Sequence, residues 1–101
     1  MPREKPRIPY LSEVVVESAS GRRQERISDL GLGGCFIDSI ATVMEGEAVN
    51  FDLLMPNGNM LKFTGRVTYL LHGVGYGVRF TDLSDEQKTF LEEIVGELTN
   101  I

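Results

Sequence analysis

Short segments of alternating or β-branched apolar residues, each followed by a turn rich in glycine, asparagine or proline, dominate residues 13–80. An alternation with a period of two places successive side chains on opposite faces of a β-strand. The segments that carry this pattern are residues 13–18, 24–30, 35–37, 47–55, 60–70 and 76–80. Short links between them favour antiparallel pairing, so the sequence predicts an all-β barrel of about six mostly antiparallel strands.

The alternation also predicts which side chains face the interior of the barrel. In residues 24–30 it turns Ile27 inward and Ser28 outward. In residues 60–70 it places one apolar set on a common face, namely Leu61, Phe63, Val67 and Tyr69. These inward faces would supply the apolar core of the domain.

The pattern changes at Ser84, where the sequence Ser84-Asp85-Glu86-Gln87 matches a capping box. The serine hydroxyl and the Gln87 side chain can each satisfy a backbone N–H at the start of a helix. Apolar residues then recur at helical spacing, at Phe90, Leu91, Ile94, Val95 and Leu98. The sequence therefore predicts one C-terminal amphipathic α-helix over about residues 84–98.

The N-terminal segment differs from the rest of the chain because it contains Pro2, Pro6 and Pro9. Proline fixes φ and lacks a backbone N–H, so it disfavours both a helix and a central strand. We therefore predict that residues 1–12 form a flexible, extended arm and that residues 13–101 form the barrel with its helix.

The length of 101 residues suits one domain. No stretch approaches the roughly 20 apolar residues that span a bilayer, and no apolar run of signal-peptide length follows the charged first residues. The single cysteine, Cys35, cannot form an internal disulfide. These features favour a cytoplasmic protein without membrane insertion.

The net charge of −5 argues against binding to DNA or RNA, which requires a basic surface. Basic residues are nevertheless concentrated near the N-terminus, in residues 3–7 and 22–26, whereas most acidic residues follow later. An acidic protein with a local cationic arm suits a small anionic ligand better than a polymer.

Residues able to support catalysis are scarce. His72 is the only histidine and falls in a turn, and Cys35 enters a strand where a small buried apolar side chain is expected. One histidine and one cysteine do not make a zinc-type cluster. The glycines of residues 73–77 lack the following helix and the lysine of a phosphate-binding loop. We therefore expect neither an enzyme, nor a bound metal, nor a cofactor.

Two groups of residues could bind an anionic nucleotide. Arg3 and Arg7 form R-x-x-x-R on the arm, and guanidinium groups bind phosphate in a bidentate manner, stack on purines and donate to guanine O6 and N7. Asp29 precedes the glycine-rich residues 31–34, which would let a ligand approach the backbone closely. A carboxylate there can accept from guanine N1 and N2. The alternative is a flexible basic tail beside a tight turn.

The order of these motifs resembles the PilZ domain family. PilZ domains carry R-x-x-x-R in an N-terminal arm, then one strand pair, then D/N-x-S-x-x-G, and bind cyclic di-GMP through both motifs. In this sequence Arg3 and Arg7 match the first motif, and Asp29 and Gly34 match the ends of the second. The resemblance extends over nearly the whole chain and implies a PilZ-like barrel that binds cyclic di-GMP.

The sequence departs from the PilZ pattern at one position and is ambiguous at another. Gly31 replaces the serine of the second motif, which removes a hydroxyl from the expected ligand loop. Arg22 and Arg26 also form R-x-x-x-R, but they follow the first predicted strand, whereas the family places its arginines before it. We therefore assign the ligand-binding role to Arg3 and Arg7 and expect Arg22 and Arg26 to face solvent.

Three functional hypotheses remain open at this point. In the first, the chain is a bacterial cyclic di-GMP receptor, whose ligand contacts Arg3, Arg7, Asp29, Gly31 and Gly34 and orders the arm for a protein partner in trans. In the second, it is a degenerate PilZ domain that acts as a protein-interaction adaptor without nucleotide. In the third, it is an unrelated small barrel whose arm binds another anion.

Overall fold

The computed structural model describes residues 7–99, which contain six strands and one helix. The elements are β1 (Arg7–Ser18), β2 (Gly21–Gly31), β3 (Gly34–Asp38), β4 (Ala48–Leu54), β5 (Met60–Leu71), β6 (Gly75–Thr81) and α1 (Asp85–Thr99). The strands pair antiparallel in the order β1-β2-β3-β6-β5-β4, and β4 closes the barrel on β1. The barrel and the C-terminal helix predicted from the sequence are confirmed.

Inward-facing aromatic rings form the centre of the core. Phe63 packs against Phe80 with ring centroids 4.9 Å apart, and Phe51 stacks on Phe63 at 5.9 Å. The helix contributes Phe90, whose ring lies 6.4 Å from that of Phe63. Buried aromatic pairs of this kind combine a large apolar area with favourable ring geometry, so α1 is held against the barrel by its apolar face.

The start of the helix has the geometry that the capping box predicted. The Gln87 amide donates to Ser84 Oγ at 3.1 Å, and the Ser84 amide donates back to the Gln87 side-chain oxygen. Two backbone N–H groups that the helix cannot satisfy internally are therefore bonded. No helix within residues 7–99 is long and apolar enough to cross a membrane.

Strand β1 begins at Arg7 rather than at Glu13, so residues 7–12 of the predicted arm are part of a strand. Arg7, Ile8 and Pro9 pair with the last residues of β2. Strand β4 pairs with β1 only at residues 16–18, so the first half of β1 is an edge. Proline is compatible with an edge strand because no ladder partner needs its missing N–H. The rest of the predicted arm, residues 1–6, lies outside the described residues.

Two β-bulges change the faces that simple alternation predicted. In β2, Ile27 pairs with Ile37 but Asp29 pairs with Phe36, so one extra residue interrupts the register. In β5 the same shift occurs between Val67 and Tyr69. A bulge of one residue sends the following side chain to the opposite face. The prediction that Tyr69 shares a face with Leu61, Phe63 and Val67 was therefore wrong, and the residue is 41% exposed.

A buried carboxylate lies near the start of β6. The Glu25 side chain, 6% exposed, accepts hydrogen bonds from Tyr76 Oη at 2.8 Å, from Arg23 Nε at 3.2 Å and from Ser39 Oγ. Burial raises the pKa of the Tyr76 phenol, and the adjacent Glu25 carboxylate raises it further. These donors compensate the carboxylate for its loss of water, so the cluster links β2 and β6 through polar contacts.

Candidate ligand-binding site

Arg7 and Asp29 form an ion pair on the outer face of the barrel. Arg7 Nη1 donates to Asp29 Oδ1 at 2.9 Å. The register explains the contact: Arg7 lies opposite Gly31 and Pro9 lies opposite Asp29, so the two side chains are diagonal neighbours on one face of the β1–β2 ladder. The sequence placed these residues on an arm and a strand end, and the structure brings them together.

This ion pair leaves both partners accessible to a ligand. The Arg7 side chain is 26% exposed and the Asp29 side chain is 37% exposed. Their hydrogen bond uses one guanidinium nitrogen and one carboxylate oxygen, although a guanidinium has five N–H donors and a carboxylate has two oxygens. The pair can therefore offer further donors to a phosphate or a purine edge and a further acceptor to a guanine.

The two glycines assigned to the site bound the tight turn between β2 and β3. Gly31 ends β2 opposite Arg7, and Gly34 begins β3 opposite Arg79. A Cβ at Gly34 would lie 2.1 Å from the carbonyl oxygen of Val78, so no larger residue fits without movement of the backbone. Gly34 is thus required by the packing of β3 on β6, whether or not a ligand is present.

Cys35 and His72 lie in the environments that the sequence predicted for them. Cys35 is fully buried, and burial raises the pKa of its thiol, as expected of a core residue rather than a nucleophile. His72 is exposed in the turn between β5 and β6, as predicted. Within residues 7–99, no group of three or more histidine, cysteine or acidic side chains could hold a metal ion.

The competing arginine motif faces solvent, as predicted. Arg22 lies 3.6 Å from a carboxylate oxygen of Glu17, and Arg26 lies 3.2 Å from one of Asp38. Both arginine side chains are more than half exposed. These surface ion pairs contribute little to stability. Arg3, the other arginine of the predicted site, lies outside the described residues.

The structure adds neighbours that the sequence analysis missed. Arg79 is exposed on β6 opposite Gly34, and Phe36 lies opposite Asp29 on β3. No spacing rule could have found them, because β3 and β6 are far apart along the chain and their register is set by the barrel. The site is an open outer surface: the grooves beside α1 and beside Leu11 include neither Arg7 nor Asp29.

A closed six-stranded antiparallel barrel with one C-terminal helix defines the class of small β-barrel domains. The PilZ domain family model matches residues 2–97. The chain therefore belongs to the PilZ family. No curated protein sequence matches it significantly.

Solved structures share this fold at low sequence identity. The PilZ domain of CeSA from a cellulose-synthesizing bacterium is 22% identical, with a TM-score of 0.69 over 93% of this chain and 98% of that one. The PilZ domain of YcgR from Escherichia coli, solved with cyclic di-GMP, is 17% identical, with a TM-score of 0.75 over 99% of this chain and 93% of that one.

A longer structure is also similar. The Bacillus subtilis inhibitor of motility MotI/DgrA is 11% identical, with a TM-score of 0.81 over 99% of this chain and 52% of that chain. The present chain thus spans about half the length of that protein. The likeness establishes a shared barrel, because identity at this level shows the fold alone.

Proposed function

We propose that this chain is a receptor module for cyclic di-GMP and that Arg3, Arg7, Asp29, Gly31 and Gly34 form its ligand site. The observation that supports the proposal is the 2.9 Å ion pair between Arg7 and Asp29, which brings together one residue from each of the two predicted motifs. Membership of the PilZ family and the fold shared with a PilZ domain solved with cyclic di-GMP support the choice of ligand.

The chemistry of the paired residues suits a guanine dinucleotide. Cyclic di-GMP carries two phosphates, for which a guanidinium provides charge and paired donors. Its guanine bases present O6 and N7 acceptors to an arginine and N1 and N2 donors to a carboxylate. Since Arg7 and Asp29 already lie together on paired strands, little conformational entropy is lost in positioning them.

Gly31 in place of the family serine weakens this site without removing it. A net neutral hydrogen bond contributes about 0.5–1.5 kcal/mol, which corresponds to a change in affinity of roughly 2- to 12-fold. The charged contacts of Arg7 and Asp29 are unaffected by the missing hydroxyl. We therefore place the dissociation constant in the micromolar range or below.

The signalling step in this proposal is the ordering of residues 1–6 on the bound nucleotide. Arg3 stands four residues before Arg7, so a ligand held at Arg7 is within reach of the arm. Fixing the arm over the ligand would change the surface that a protein partner in trans contacts.

Isothermal titration with cyclic di-GMP tests the receptor proposal. We expect saturable binding by the wild type, loss of measurable binding in Arg7→Ala, and unchanged binding in Arg22→Ala. Arg22 is a matched control because it is an exposed arginine that also has a carboxylate partner. Equal affinities in the wild type and Arg7→Ala would overturn the assignment of Arg7.

The second candidate function is that of an adaptor that needs no nucleotide. Its support is that Arg7 and Asp29 already neutralise each other, while Gly31 lacks the family hydroxyl. In that case Arg3→Ala combined with Arg7→Ala would leave the captured set of partner proteins unchanged, and cyclic di-GMP would give no heat. A partner set that changes on addition of cyclic di-GMP would exclude the adaptor.

A further inference from the structure

The two bulges place four residues in one row on the outer face of the barrel. Asp29 of β2 lies opposite Phe36 of β3, Phe36 lies opposite Gly77 of β6, and Gly77 lies opposite Tyr69 of β5. Without the bulges, simple alternation would turn Asp29 inward with Ile27 and Tyr69 inward with Val67. Asp29 and Tyr69, the two ends of the row, are thus each turned outward by an extra residue in their own strand.

Aromatic rings cover the middle of this row. A Cβ at Gly77 would lie 2.2 Å from Cε1 of Tyr69, so the tyrosine ring rests directly over the glycine. The ring centroids of Phe36 and Tyr69 are 6.1 Å apart, with an interplanar angle of 31°. We call Phe36, Tyr69 and Gly77 the aromatic shelf.

The aromatic shelf lies on the outer face of the barrel, outside the central core cluster. Phe36 is buried, with 9% exposure, but Cys35 and Ile37 on either side of it belong to the core cluster and Phe36 does not. Tyr69 keeps 41% of its surface exposed, and its hydroxyl makes no hydrogen bond to any residue in the range 7–99. Packing over Gly77 explains why the ring lies flat, but it leaves the outer side of the ring facing solvent.

The distance between the shelf and the charged pair suits a ligand with two bases. Gly77 lies two strand spacings from Asp29, which is about 10 Å. A base whose edge is read by Asp29 would leave the second base of a dinucleotide near the Tyr69 ring. Aromatic side chains stack on any nucleobase, whereas a single phosphate or a simple anion gains nothing from them.

We infer that the aromatic shelf is a base-stacking platform, on which Tyr69 stacks one purine of the dinucleotide held by Arg7 and Asp29. This inference rests on the proposed function and extends it to residues on strands that neither PilZ motif includes. Removal of one such stacking contact lowers affinity by roughly 5- to 150-fold.

Fluorescence provides a direct test because the chain contains no tryptophan. Tyr69→Trp places a single indole on the shelf, and a purine stacked on it quenches its emission. We expect cyclic di-GMP to quench Tyr69→Trp in a saturable manner. Met60→Trp is the control: Met60 is exposed at the opposite end of β5, and its indole should keep its emission.

Calorimetry on two further variants completes the test. We expect Tyr69→Ala to bind cyclic di-GMP roughly 5- to 150-fold more weakly than the wild type, and Tyr69→Phe to bind within about threefold of it, since the ring is retained. Full binding by Tyr69→Ala, or unquenched emission from Tyr69→Trp at saturating ligand, would contradict the stacking role of the aromatic shelf. The proposed receptor function would still stand. If the wild type did not bind cyclic di-GMP, both the proposed function and the stacking role of the shelf would be contradicted.

Discussion

Arg7 donates from Nη1 to Oδ1 of Asp29 across 2.9 Å, joining the first residue of β1 to a residue near the end of β2. The contact depends on the register of β1 and β2, which places the two side chains on the outer face as diagonal neighbours. It also brings one residue of each predicted motif to neighbouring positions of a single antiparallel ladder, although the two residues are 22 positions apart in the sequence.

The ion pair should matter more for binding than for folding. Arg7 and Asp29 are partly exposed, and ion pairs at such positions contribute up to about 1 kcal/mol. We expect Asp29→Asn to lower the free energy of unfolding by less than about 1 kcal/mol while weakening cyclic di-GMP binding at least tenfold. Urea unfolding and calorimetric titration of the same preparation measure the two effects. If Asp29→Asn lowered the free energy of unfolding by as much as it weakened the free energy of binding, the ion pair would have a structural role instead.

Gly34→Ala should destabilise the barrel. The added methyl group would collide with the carbonyl oxygen of Val78 at 2.1 Å, and overpacking of this kind typically costs about 1–3 kcal/mol. Gly96→Ala is the matched control, because a Cβ there meets no atom within 4 Å and alanine favours a helix. Denaturant unfolding should show a lower midpoint for Gly34→Ala and an equal or higher one for Gly96→Ala. The reverse order would contradict the close approach of β3 and β6.

Tyr76→Phe should lower the free energy of unfolding by about 1.5–3 kcal/mol, because it removes a donor from the buried carboxylate of Glu25. Tyr69→Phe is a suitable comparison, since the Tyr69 hydroxyl has no hydrogen-bond partner within residues 7–99. Thermal unfolding distinguishes the two variants. Equal midpoints would show that the Tyr76 hydroxyl contributes nothing to the cluster.

Glu47 should make stability depend on pH. Slight burial raises the pKa of its carboxyl, but hydrogen bonds from the Met44 amide, the hydroxyls of Ser18 and Ser20, and the Ser20 amide outweigh this effect and lower the pKa to about 2. Because the pKa in the folded protein lies below the ordinary value of 4.5, these contacts stabilise the fold above about pH 4.5 and lose their effect as the pH falls towards 2.

The test of this pH dependence compares Glu47→Gln with the wild type between pH 6 and pH 3. We expect the difference in their free energies of unfolding to be largest at pH 6 and to shrink on acidification. Glu45→Gln, at an exposed carboxylate in the same loop, is the control. A difference that stays constant with pH would show that the Glu47 charge is not what holds the loop.

The local chemistry of the sequence was sufficient to predict the barrel, the capping box at Ser84 and Gln87, and the burial of Cys35. It was not sufficient to predict the site, because strand pairing decides which face of the barrel a side chain lies on and which residues lie beside it. Tyr69 was placed on the same face as Val67 because nothing in the alternating pattern of the sequence reveals the extra residue in β5. The early start of β1 was missed because Pro9 indicates an interrupted strand unless that strand is known to lie at an edge of the sheet.

The most direct measurement of the central claim is a calorimetric titration of the wild type with cyclic di-GMP, run beside GTP as a second guanine nucleotide. We expect saturable heat with cyclic di-GMP at a micromolar or lower dissociation constant, and at least tenfold weaker binding of GTP, which has only one base. No heat with cyclic di-GMP at high ligand concentration, or equal affinity for GTP, would contradict a receptor built to hold this dinucleotide.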